Sequence, residues 1–429
     1  MRSIDRNWEI LFEKYKIENQ VKKNGLFYIS ADQIREFKEP RLMTKFDTRE
    51  SLPSVFGNKL AILPVTRGKY VIGEFDLYQD FPDMQSDVKQ IKTVQIPPFF
   101  ETIHRKHIRS EANAINVMGI TKILDDFLEE QDLVQTVSGR MSSGNFKFFV
   151  NDCDQRLQHK IEVQNSQIEI DGGFENKNIF TIIEGKNVVH SNFLVRQLYY
   201  PLRQWQLQIH KPIRSVFMVY SNHIFRLLEY TFTDLNHYNS LQLVRECNYS
   251  LEDTTISMND LVDVFRTVRV QPEPNVTFIQ ADSFYKVISL IENLQEGAMS
   301  TGEIAELFGF KLRQSDYYFN ACKYLGLAEK QSIDGKIRVV ITDLGRRVLK
   351  MDYKAKQLEF VRLILQHCIF YDLFQFILQS GKSLEKGLIE EKMRALHVCG
   401  ENLIQRRASS VRGWLQWILQ LAKNNKKVD

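Results

Sequence analysis

Apolar and polar residues are arranged between residues 167 and 205 in a pattern that predicts a β-hairpin followed by a helix. The apolar runs IEID and IFTIIEGK are separated by the turn-forming residues Gly172, Gly173, Asn176 and Asn178. The next segment, NFLVRQLYYPLRQW, has apolar residues at helical spacing. Short apolar runs bounded by glycine and asparagine are typical of strands joined by a turn. We therefore expect strand, turn, strand and helix in this order.

The N-terminal half of the chain is predicted to contain two parts. Residues 1–100 have two helical patterns, NWEILFEKYKI and ADQIREF, the second beginning after Ser30, and then the alternating hairpin LAILPVTRGKYVIGEF. Helices followed by a hairpin with a basic tip resemble a winged module, and an ordinary structural domain fits the pattern equally well. Residues 101–270 begin with a long helix after Ser110 and continue with alternating strands and helices. That order predicts a mixed sheet flanked by helices.

The C-terminal half is predicted to begin with a winged helix-turn-helix at residues 276–350. Three helical patterns are followed there by two strand patterns around Asp334 and Gly335, a pair that favours a type I′ turn. Residues 351–429 have helical patterns throughout. The expected fold class is therefore α/β (α+β), with a mixed-sheet core, winged-helix-like modules on both sides and a helical C-terminus.

Composition indicates an ordinary globular protein. The 429 residues are 43% hydrophobic and 26% charged, which suits about two to four domains with a sizeable core. A net charge of +4 excludes a nonspecific polycation, so any nucleic-acid surface must be a local patch. Five scattered cysteines without a CxxC spacing argue against a disulfide framework and a zinc site. With no signal-peptide pattern and no membrane-length apolar run, we expect a cytoplasmic protein without a membrane partner.

Charged residues in the predicted hairpin suggest a chemistry. Asp171 ends the first strand, and the second strand carries Glu184 and Lys186. Side chains two apart on a strand share a face, so Glu184 and Lys186 project together while Gly185 faces away. An aspartate followed later in the chain by Glu-x-Lys is a pattern that occurs by chance in many charged proteins. Here, however, the charges lie on a strongly apolar strand, where burying them without a purpose is costly.

Two carboxylates and an ammonium at a strand end suit metal-assisted hydrolysis of a phosphodiester. Mg²⁺ is commonly bound by one or two carboxylates while it keeps several waters. We expect Asp171, Glu184 and the backbone carbonyl of Gly185 to bind it, and Lys186 to orient or polarise the attacking water. Glu111, near the start of the preceding helix, is the candidate for a third carboxylate.

The arrangement resembles the PD-(D/E)xK nuclease superfamily. Asp171 corresponds to the family aspartate, Glu184-Gly185-Lys186 to the glutamate-x-lysine element, and Gln197 to the helix glutamine of many members. The chain departs from the family at Ile170, where the motif has proline. The phrases LPSVFGNKLAILPVTRGKYVIG, SGRMSSGNFKF, FGFKLRQSDYYFNACKYLGL and RRASSVRGWLQWI extend the similarity to bacterial type II restriction endonucleases with a C-terminal winged helix.

This resemblance implies Mg²⁺-dependent, sequence-specific hydrolysis of double-stranded DNA. It also implies a homodimer with one active site for each strand, and a cognate DNA methyltransferase encoded in the same genome. Two alternatives remain open at this point: a non-catalytic winged-helix DNA-binding regulator, and a structure-specific DNA repair nuclease. The chain has no GxxxxGK[ST] loop, so NTP-driven translocation is not indicated.

DNA recognition is expected mainly at the start of the last helix of the helix-turn-helix, which such motifs place in the major groove. There Arg313 suits guanine, Gln314 suits adenine, and Tyr317 suits phosphate or base stacking. Winged helices also serve as protein-binding modules. The other candidate contacts lie on the wing, in the N-terminal module and just before the nuclease sheet: Lys336, Arg338, Arg41, Lys45, Arg67, Lys69, Ser138 and Arg140.

Overall fold

The computed structural model of the chain describes residues 3–83 and 90–423. Residues 1–2, 84–89 and 424–429 of the predicted parts lie outside the described residues. Four hydrophobic clusters organise the fold. One belongs to an N-terminal module, two lie on the opposite faces of a central sheet, and one fills a C-terminal helical part.

The N-terminal module combines helices with a three-stranded antiparallel sheet of order β1-β3-β2. Ser30 begins the third helix as predicted, because its side chain accepts a hydrogen bond from the N–H of Gln33 at 3.2 Å. Trp8, Phe12 and Phe56 pack edge to face in its core. The elements are α1 (Ser3–Tyr15), α2 (Ile17–Asn24), β1 (Leu26–Ser30), α3 (Ala31–Arg35), α4 (Pro40–Thr44), β2 (Leu60–Thr66) and β3 (Lys69–Glu74).

The central part contains a seven-stranded mixed sheet of order β5-β14-β13-β12-β10-β9-β6, in which the pairs β10–β12 and β14–β5 are parallel. Its elements are β4 (Tyr78–Asp80), β5 (Ile91–Thr93), α5 (Glu111–Ile120), α6 (Ile123–Leu128), β6 (Val134–Ser142), β7 (Asn145–Asn151), β8 (Gln158–Gln164), β9 (Gln167–Glu175), β10 (Phe180–Lys186), β11 (Asn192–Leu194), α7 (Arg196–Gln206), β12 (Ile213–Ser221), β13 (Ile224–Phe232) and β14 (Leu241–Ser250). Helix α7 packs on one face, and α5 and α6 pack on the other. The predicted mixed sheet flanked by helices is confirmed.

Two short strands before residue 100 belong to the central part rather than to the N-terminal module. β4 pairs with β11, and β5 pairs with β14 at the edge of the seven-stranded sheet. These pairings join segments more than 100 residues apart in the chain. Local patterns carry no information about such distant partners, so the sequence predicted neither strand and left both segments within residues 1–100.

The predicted hairpin forms, but its turn lies later than expected. Gly172 and Gly173 are inside β9, where they pair with Ile183 and Ile182 of β10. A Cβ atom at Gly173 would come within 3.0 Å of the ring of Phe180 and of Val137, so glycine permits close packing between strands here. Residues 176–179 make the turn.

The C-terminal part contains the predicted three helices followed by an antiparallel hairpin, which the structure confirms. Asp334 and Gly335 have φ values of 49° and 71°, both positive as a type I′ turn requires. The helical end of the chain shares one core with these elements, since Phe284 packs against Trp414 and Trp417. The elements are α8 (Met258–Thr267), α9 (Phe284–Glu296), α10 (Thr301–Phe308), α11 (Leu312–Tyr324), β15 (Ala328–Ile333), β16 (Lys336–Ile341), α12 (Asp343–Leu349), α13 (Tyr353–Leu365), α14 (Cys368–Ser380), α15 (Lys386–Ala395) and α16 (Glu401–Lys423).

The fold class is thus mixed α+β, as the sequence predicted. Among the described residues, no helix has the length and apolar character needed to cross a membrane.

Candidate active site

Glu184 and Lys186 project from the same face of β10 and form an ion pair. The Lys186 Nζ lies 2.7 Å from Oε1 of Glu184, and the two side chains are only 15% and 9% exposed. Gln197, in the first turn of α7, donates a second hydrogen bond from Nε2 to the same Oε1 at 2.5 Å. The helix glutamine therefore contacts the strand glutamate directly. Within the described part of the chain, neither of these two donors binds Oε2 of Glu184.

Asp171 is held beside this pair by the backbone. It directly precedes Gly172, which is the first residue of β9 in chain order that pairs with β10. Its Oδ2 accepts a hydrogen bond of 2.9 Å from the N–H of Gly185. The aspartate and the glutamate are thus on adjacent strands, as predicted, but Asp171 lies inside β9 and not at its end, because the strand continues through Gly172 and Gly173 to Glu175.

Gly185 faces away from the ion pair, as expected, and lies against helix α5. A Cβ atom there would lie 3.1 Å from Cε of Met218, 3.2 Å from Cδ1 of Ile115 and 3.6 Å from Cβ of Glu111. Glu111 is the first residue of α5, so its carboxyl group reaches the end of β10 from the opposite side of the sheet. Burial raises the pKa of Glu111, the charge of Lys186 lowers it and the charge of Asp171 raises it.

These groups line one cavity of about 330 Å³ between the central sheet and the N-terminal module. Three of the basic residues proposed to bind DNA, Arg41, Lys45 and Arg67, line the same cavity. Two residues that the sequence analysis did not single out, Asp47 and Arg196, also line it. The candidate site is therefore shared between two parts of the fold.

The charged groups of the cavity shift one another's pKa values. Burial raises the pKa of Glu184 to about 8, and the charge of Asp171 adds to this effect while that of Lys186 opposes it. Burial lowers the pKa of Lys186, but the charges of Glu184, Asp47 and Glu111 outweigh it, so its pKa is raised and the side chain stays an ammonium ion. Arg41, Lys45, Arg67 and Arg196 also line the cavity, so Lys186 is one of five basic residues beside its carboxyl groups.

Two carboxylates of the cavity could hold a metal ion. The hydrogen bonds described above fall on Oε1 of Glu184 and Oδ2 of Asp171, which leaves one oxygen of each carboxylate for a metal ion. Oε1 of Gln197 is buried and has no hydrogen-bond partner. Over residues 3–83 and 90–423, no three His, Cys, Asp or Glu side chains form a group able to hold a metal ion. The groups that could hold a metal ion here are the carboxylates of Asp171 and Glu184 and the carbonyl of Gly185, with Glu111 nearby.

Arg196 is a cation that the sequence analysis missed. It begins α7, next to Gln197, and its Nε is buried without a hydrogen-bond partner. Its guanidinium lies 5.6 Å from the ring centroid of Tyr200. The sequence contained a signal for Arg196, because it directly precedes Gln197 at the start of the helix predicted to follow the hairpin.

The other candidate DNA contacts near the central sheet lie outside the cavity or at its rim. Lys69 stacks on Tyr28, with Nζ 4.5 Å from the ring centroid, and does not line the cavity. Ser138 and Arg140 lie on β6, the exposed edge strand of the sheet, rather than before it. Arg140 and Arg41 both approach Glu169, at 3.4 Å and 3.6 Å, so β6 and the N-terminal module meet at this carboxylate.

The winged-helix candidates form a separate surface. Arg313 is exposed and lies over Tyr317, which also contacts Arg406 of α16. The Oε1 of Gln314 accepts a hydrogen bond of 3.0 Å from the N–H of Lys311, so it caps its own helix and is not free for adenine. The other two candidates, Lys336 and Arg338, lie on β16 of the wing hairpin. Lys336 is exposed, and Arg338 forms an ion pair with Glu303 of α10. None of these residues lines the catalytic cavity.

Comparison with known proteins identifies three matching families, each described as a domain of unknown function. DUF6996 matches residues 5–72, DUF6997 matches residues 73–250, and DUF7226 matches residues 286–423. Each match covers less than half of the chain. The first boundary falls within β3, and the ranges otherwise follow the N-terminal, central and C-terminal parts of the fold. No curated protein and no solved structure matches the chain.

Proposed function

We propose that this protein is a Mg²⁺-dependent endonuclease that cuts double-stranded DNA at a specific sequence, as type II restriction endonucleases do. The observation that carries the proposal is the meeting of Asp171, Glu184, Lys186 and Gln197 in one cavity. These are the four positions that the resemblance to the PD-(D/E)xK superfamily assigns to catalysis. Their convergence requires β9, β10 and α7 to fold together, so it is stronger support than the spacing of the residues alone.

Lys186 has an electrostatic role in this proposal. Its raised pKa keeps the side chain protonated, so Nζ donates hydrogen bonds and does not accept a proton. An ammonium beside the phosphate orients the attacking water and offsets negative charge as the phosphorus becomes five-coordinate. The ion pair with Glu184 and the hydrogen bond from Gln197 hold these groups in place before substrate arrives.

Asp171, Glu184 and the Gly185 carbonyl would hold the metal ion, which lowers the pKa of bound water and stabilises charge on the phosphate. Arg41, Lys45, Arg67 and Arg196 supply positive charge around the cavity for neighbouring phosphates. The exposed Arg313 and Lys336 would contact the duplex through the winged helix. A homodimer would supply one active site for each DNA strand, and a cognate methyltransferase would protect host DNA.

Plasmid cleavage tests this proposal. The parent protein, Lys186→Ala, Asp171→Ala and the control Lys22→Ala, an exposed lysine on α2, are incubated with plasmid DNA and Mg²⁺. We expect discrete fragments from the parent and from Lys22→Ala, and none from the two cavity variants. DNA binding without cleavage by the parent would overturn the proposal and favour a regulator. Nicking confined to junctions or flaps would instead indicate a structure-specific repair nuclease.

A further inference from the structure

Glu169 is a carboxylate of the candidate cavity that the nuclease motif does not use. It lies on β9 two positions before Asp171, and both side chains line the cavity. Its neighbours Ile168 and Ile170 are buried, as expected when alternate side chains of a strand point to opposite faces. Glu169 itself is 52% exposed, so its carboxylate contacts solvent, whereas that of Glu184 is buried. An accessible acid beside a proposed DNA-cleaving site repels the phosphates of the substrate, so its presence requires an explanation.

Two arginines from different parts of the fold hold this carboxylate. Nε of Arg140 lies 3.4 Å from Oε1 of Glu169, and Nη2 of Arg41 lies 3.6 Å from Oε2. Each oxygen of the carboxylate therefore faces one guanidinium group. Arg140 belongs to β6 of the central part, and Arg41 belongs to α4 of the N-terminal module. Arg41, Arg140 and Glu169 thus form a cluster that joins the two parts, and we call it the rim cluster.

The shape of the edge strand β6 places Arg140. This residue is directly opposite Glu169 in the ladder between β6 and β9. The register shifts just before it, between Val137 and Gly139, and Gly139 has a φ of 98°, which glycine adopts more easily than other residues. A bulge of this kind bends an edge strand and redirects the side chains beside it. Arg140 follows the bend immediately.

Arg41 lies on a helix that is anchored in the N-terminal module. Pro40 is the first residue of α4, where its fixed φ favours the start of a helix. Met43 of the same helix is buried, and its carbonyl oxygen accepts a hydrogen bond of 2.8 Å from Nε1 of Trp8. The backbone of Arg41 is therefore fixed, while its side chain remains half exposed.

The contacts within the rim cluster are easily exchanged. Both are longer than the roughly 2.7–2.9 Å of a strong charge-assisted hydrogen bond. All three side chains are about half exposed, and exposed ion pairs contribute little to stability. The pair of Glu184 with Lys186, by contrast, is short and buried. Another anion can therefore take the place of the Glu169 carboxylate between the two guanidinium groups.

A DNA phosphate has the chemistry to make this exchange. A phosphodiester carries one negative charge, and its two free oxygens accept hydrogen bonds from guanidinium groups as a carboxylate does. Positive charge continues along the cavity, since Lys45, Arg67 and Arg196 also line it. Ser166 lines the same cavity and is fully buried, and within the described part of the chain its Oγ has no hydrogen-bond partner. This hydroxyl is available to donate to a phosphate oxygen.

We propose that Arg41 and Arg140 together bind one backbone phosphate of the DNA, and that Glu169 occupies this phosphate site in the free protein. Entering DNA displaces the carboxylate, and the two arginines exchange one anion for another. Glu169 weakens binding to any duplex, because it competes for the same cations and repels the backbone. Stable binding then depends more strongly on base contacts made elsewhere on the protein. The inference rests on the DNA-binding part of the proposed function.

Full-length Glu169→Gln tests the inference, with Glu162→Gln as the matched control. Glu162 is a half-exposed acid on β8, directly opposite Lys147 and 2.8 Å from its Nζ, and it does not line the cavity. Each substitution removes one negative charge from an exposed pair between strands. Binding to a labelled DNA duplex of mixed sequence is measured in a chelator, so that no Mg²⁺-dependent cleavage occurs.

Glu169→Gln should tighten the dissociation constant for this duplex. We expect a change of about threefold to tenfold, because two weak ion pairs no longer compete with the DNA, and a change below about twofold for Glu162→Gln. Tm should match that of the parent in both variants, since both side chains are exposed.

Arg140→Gln distinguishes a phosphate site from a simple gain of positive charge. This variant should bind the duplex more weakly, with a salt dependence reduced by about one phosphate contact. In its background, Glu169→Gln should have less than about half of its effect in the parent, because the two side chains act on the same site. Arg41→Gln provides a second measurement of this coupling.

Three results would overturn the inference: equal binding by Glu169→Gln and Glu162→Gln, weaker binding by Glu169→Gln than by the parent, and an undiminished effect of Glu169→Gln when Arg140 is replaced. If the parent binds no DNA, the inference fails together with the proposed function. If the parent binds DNA but does not cleave it with Mg²⁺, the proposed nuclease fails, and tighter binding by Glu169→Gln still supports the phosphate site. Cleavage by the parent without any gain in Glu169→Gln would overturn the inference alone.

Discussion

The backbone N–H of Gly185 donates a hydrogen bond to Oδ2 of Asp171 at 2.9 Å. The final pair of β9 and β10 is Gly172 with Ile183, and this bond extends the contact between the strands beyond that pair. The bond holds the Asp171 carboxylate against β10, the strand that carries Glu184 and Lys186. The relative positions of the three side chains therefore depend on the pairing of β9 with β10. A site built on strands in this way holds its geometry better than one built on loops.

Replacing Gln197 should weaken catalysis without disturbing the fold. The Nε2 of Gln197 holds Oε1 of Glu184, and Gln197→Ala removes this restraint. We expect a fall in kcat of about tenfold to a hundredfold, as for other residues that orient a metal ligand. Gln206→Ala, at the exposed end of the same helix, is the control. Single-turnover cleavage rates measure both, and equal rates for the two variants would contradict the role of Gln197.

Lys356 should make stability depend on pH. It is fully buried on α13, and its Nζ has no hydrogen-bond partner. Burial lowers its pKa from 10.5 to about 8, against the opposing charges of Glu292 and Glu252. Between these two values the unfolded chain binds a proton that the folded chain does not, so stability rises with pH across this window.

Lys356→Met should remove this dependence. The variant should be more stable than the parent at pH 7 by on the order of 3 kcal/mol, because it lacks a charge that is costly to bury. The difference should shrink as the pH rises from 8 towards 10. Urea unfolding at pH 7 and pH 9.5 measures it. A difference that stays constant between these pH values would show that Lys356 keeps its proton in the folded protein over this range, so that its pKa is not lowered.

Two variants of the winged helix should affect DNA binding in different ways. Arg313→Ala should cost roughly 1–3 kcal/mol for the cognate sequence only, because an exposed arginine at the start of α11 is placed to contact a base. Lys336→Ala, on the wing, should weaken binding to all sequences and reduce the salt dependence by about one phosphate contact. Titrations with cognate and unrelated duplexes at several salt concentrations distinguish these effects. Identical losses for both variants would contradict the assignment.

Local features of the fold were predictable from the sequence because they depend on neighbouring residues. The hairpin that contains Glu184 and Lys186, the cap at Ser30 and the type I′ turn at Asp334 all follow from short patterns. The fold class followed from the order of these elements. The hairpin turn was misplaced because Gly172 and Gly173 suggest a turn by residue type, whereas their actual role is close packing between strands.

Distant contacts were not predictable in the same way. The pairing of β4 with β11, and the presence of Asp47 and Lys186 in one cavity, join segments that no local pattern connects. The motif residues of the candidate site could be named because β9, β10 and α7 all lie within residues 167–206 of the chain. The N-terminal side of the cavity could not be assigned, since it requires a module to dock on β11.

Sequencing the DNA ends produced by the protein tests the central claim most directly. Genomic DNA is incubated with the parent or with Lys186→Ala, in Mg²⁺ or in a chelator, and all new ends are sequenced. The account predicts ends that share one short sequence, that appear only with the parent and that require Mg²⁺. New ends without a common sequence, equal ends from Lys186→Ala, or no new ends at all would contradict it.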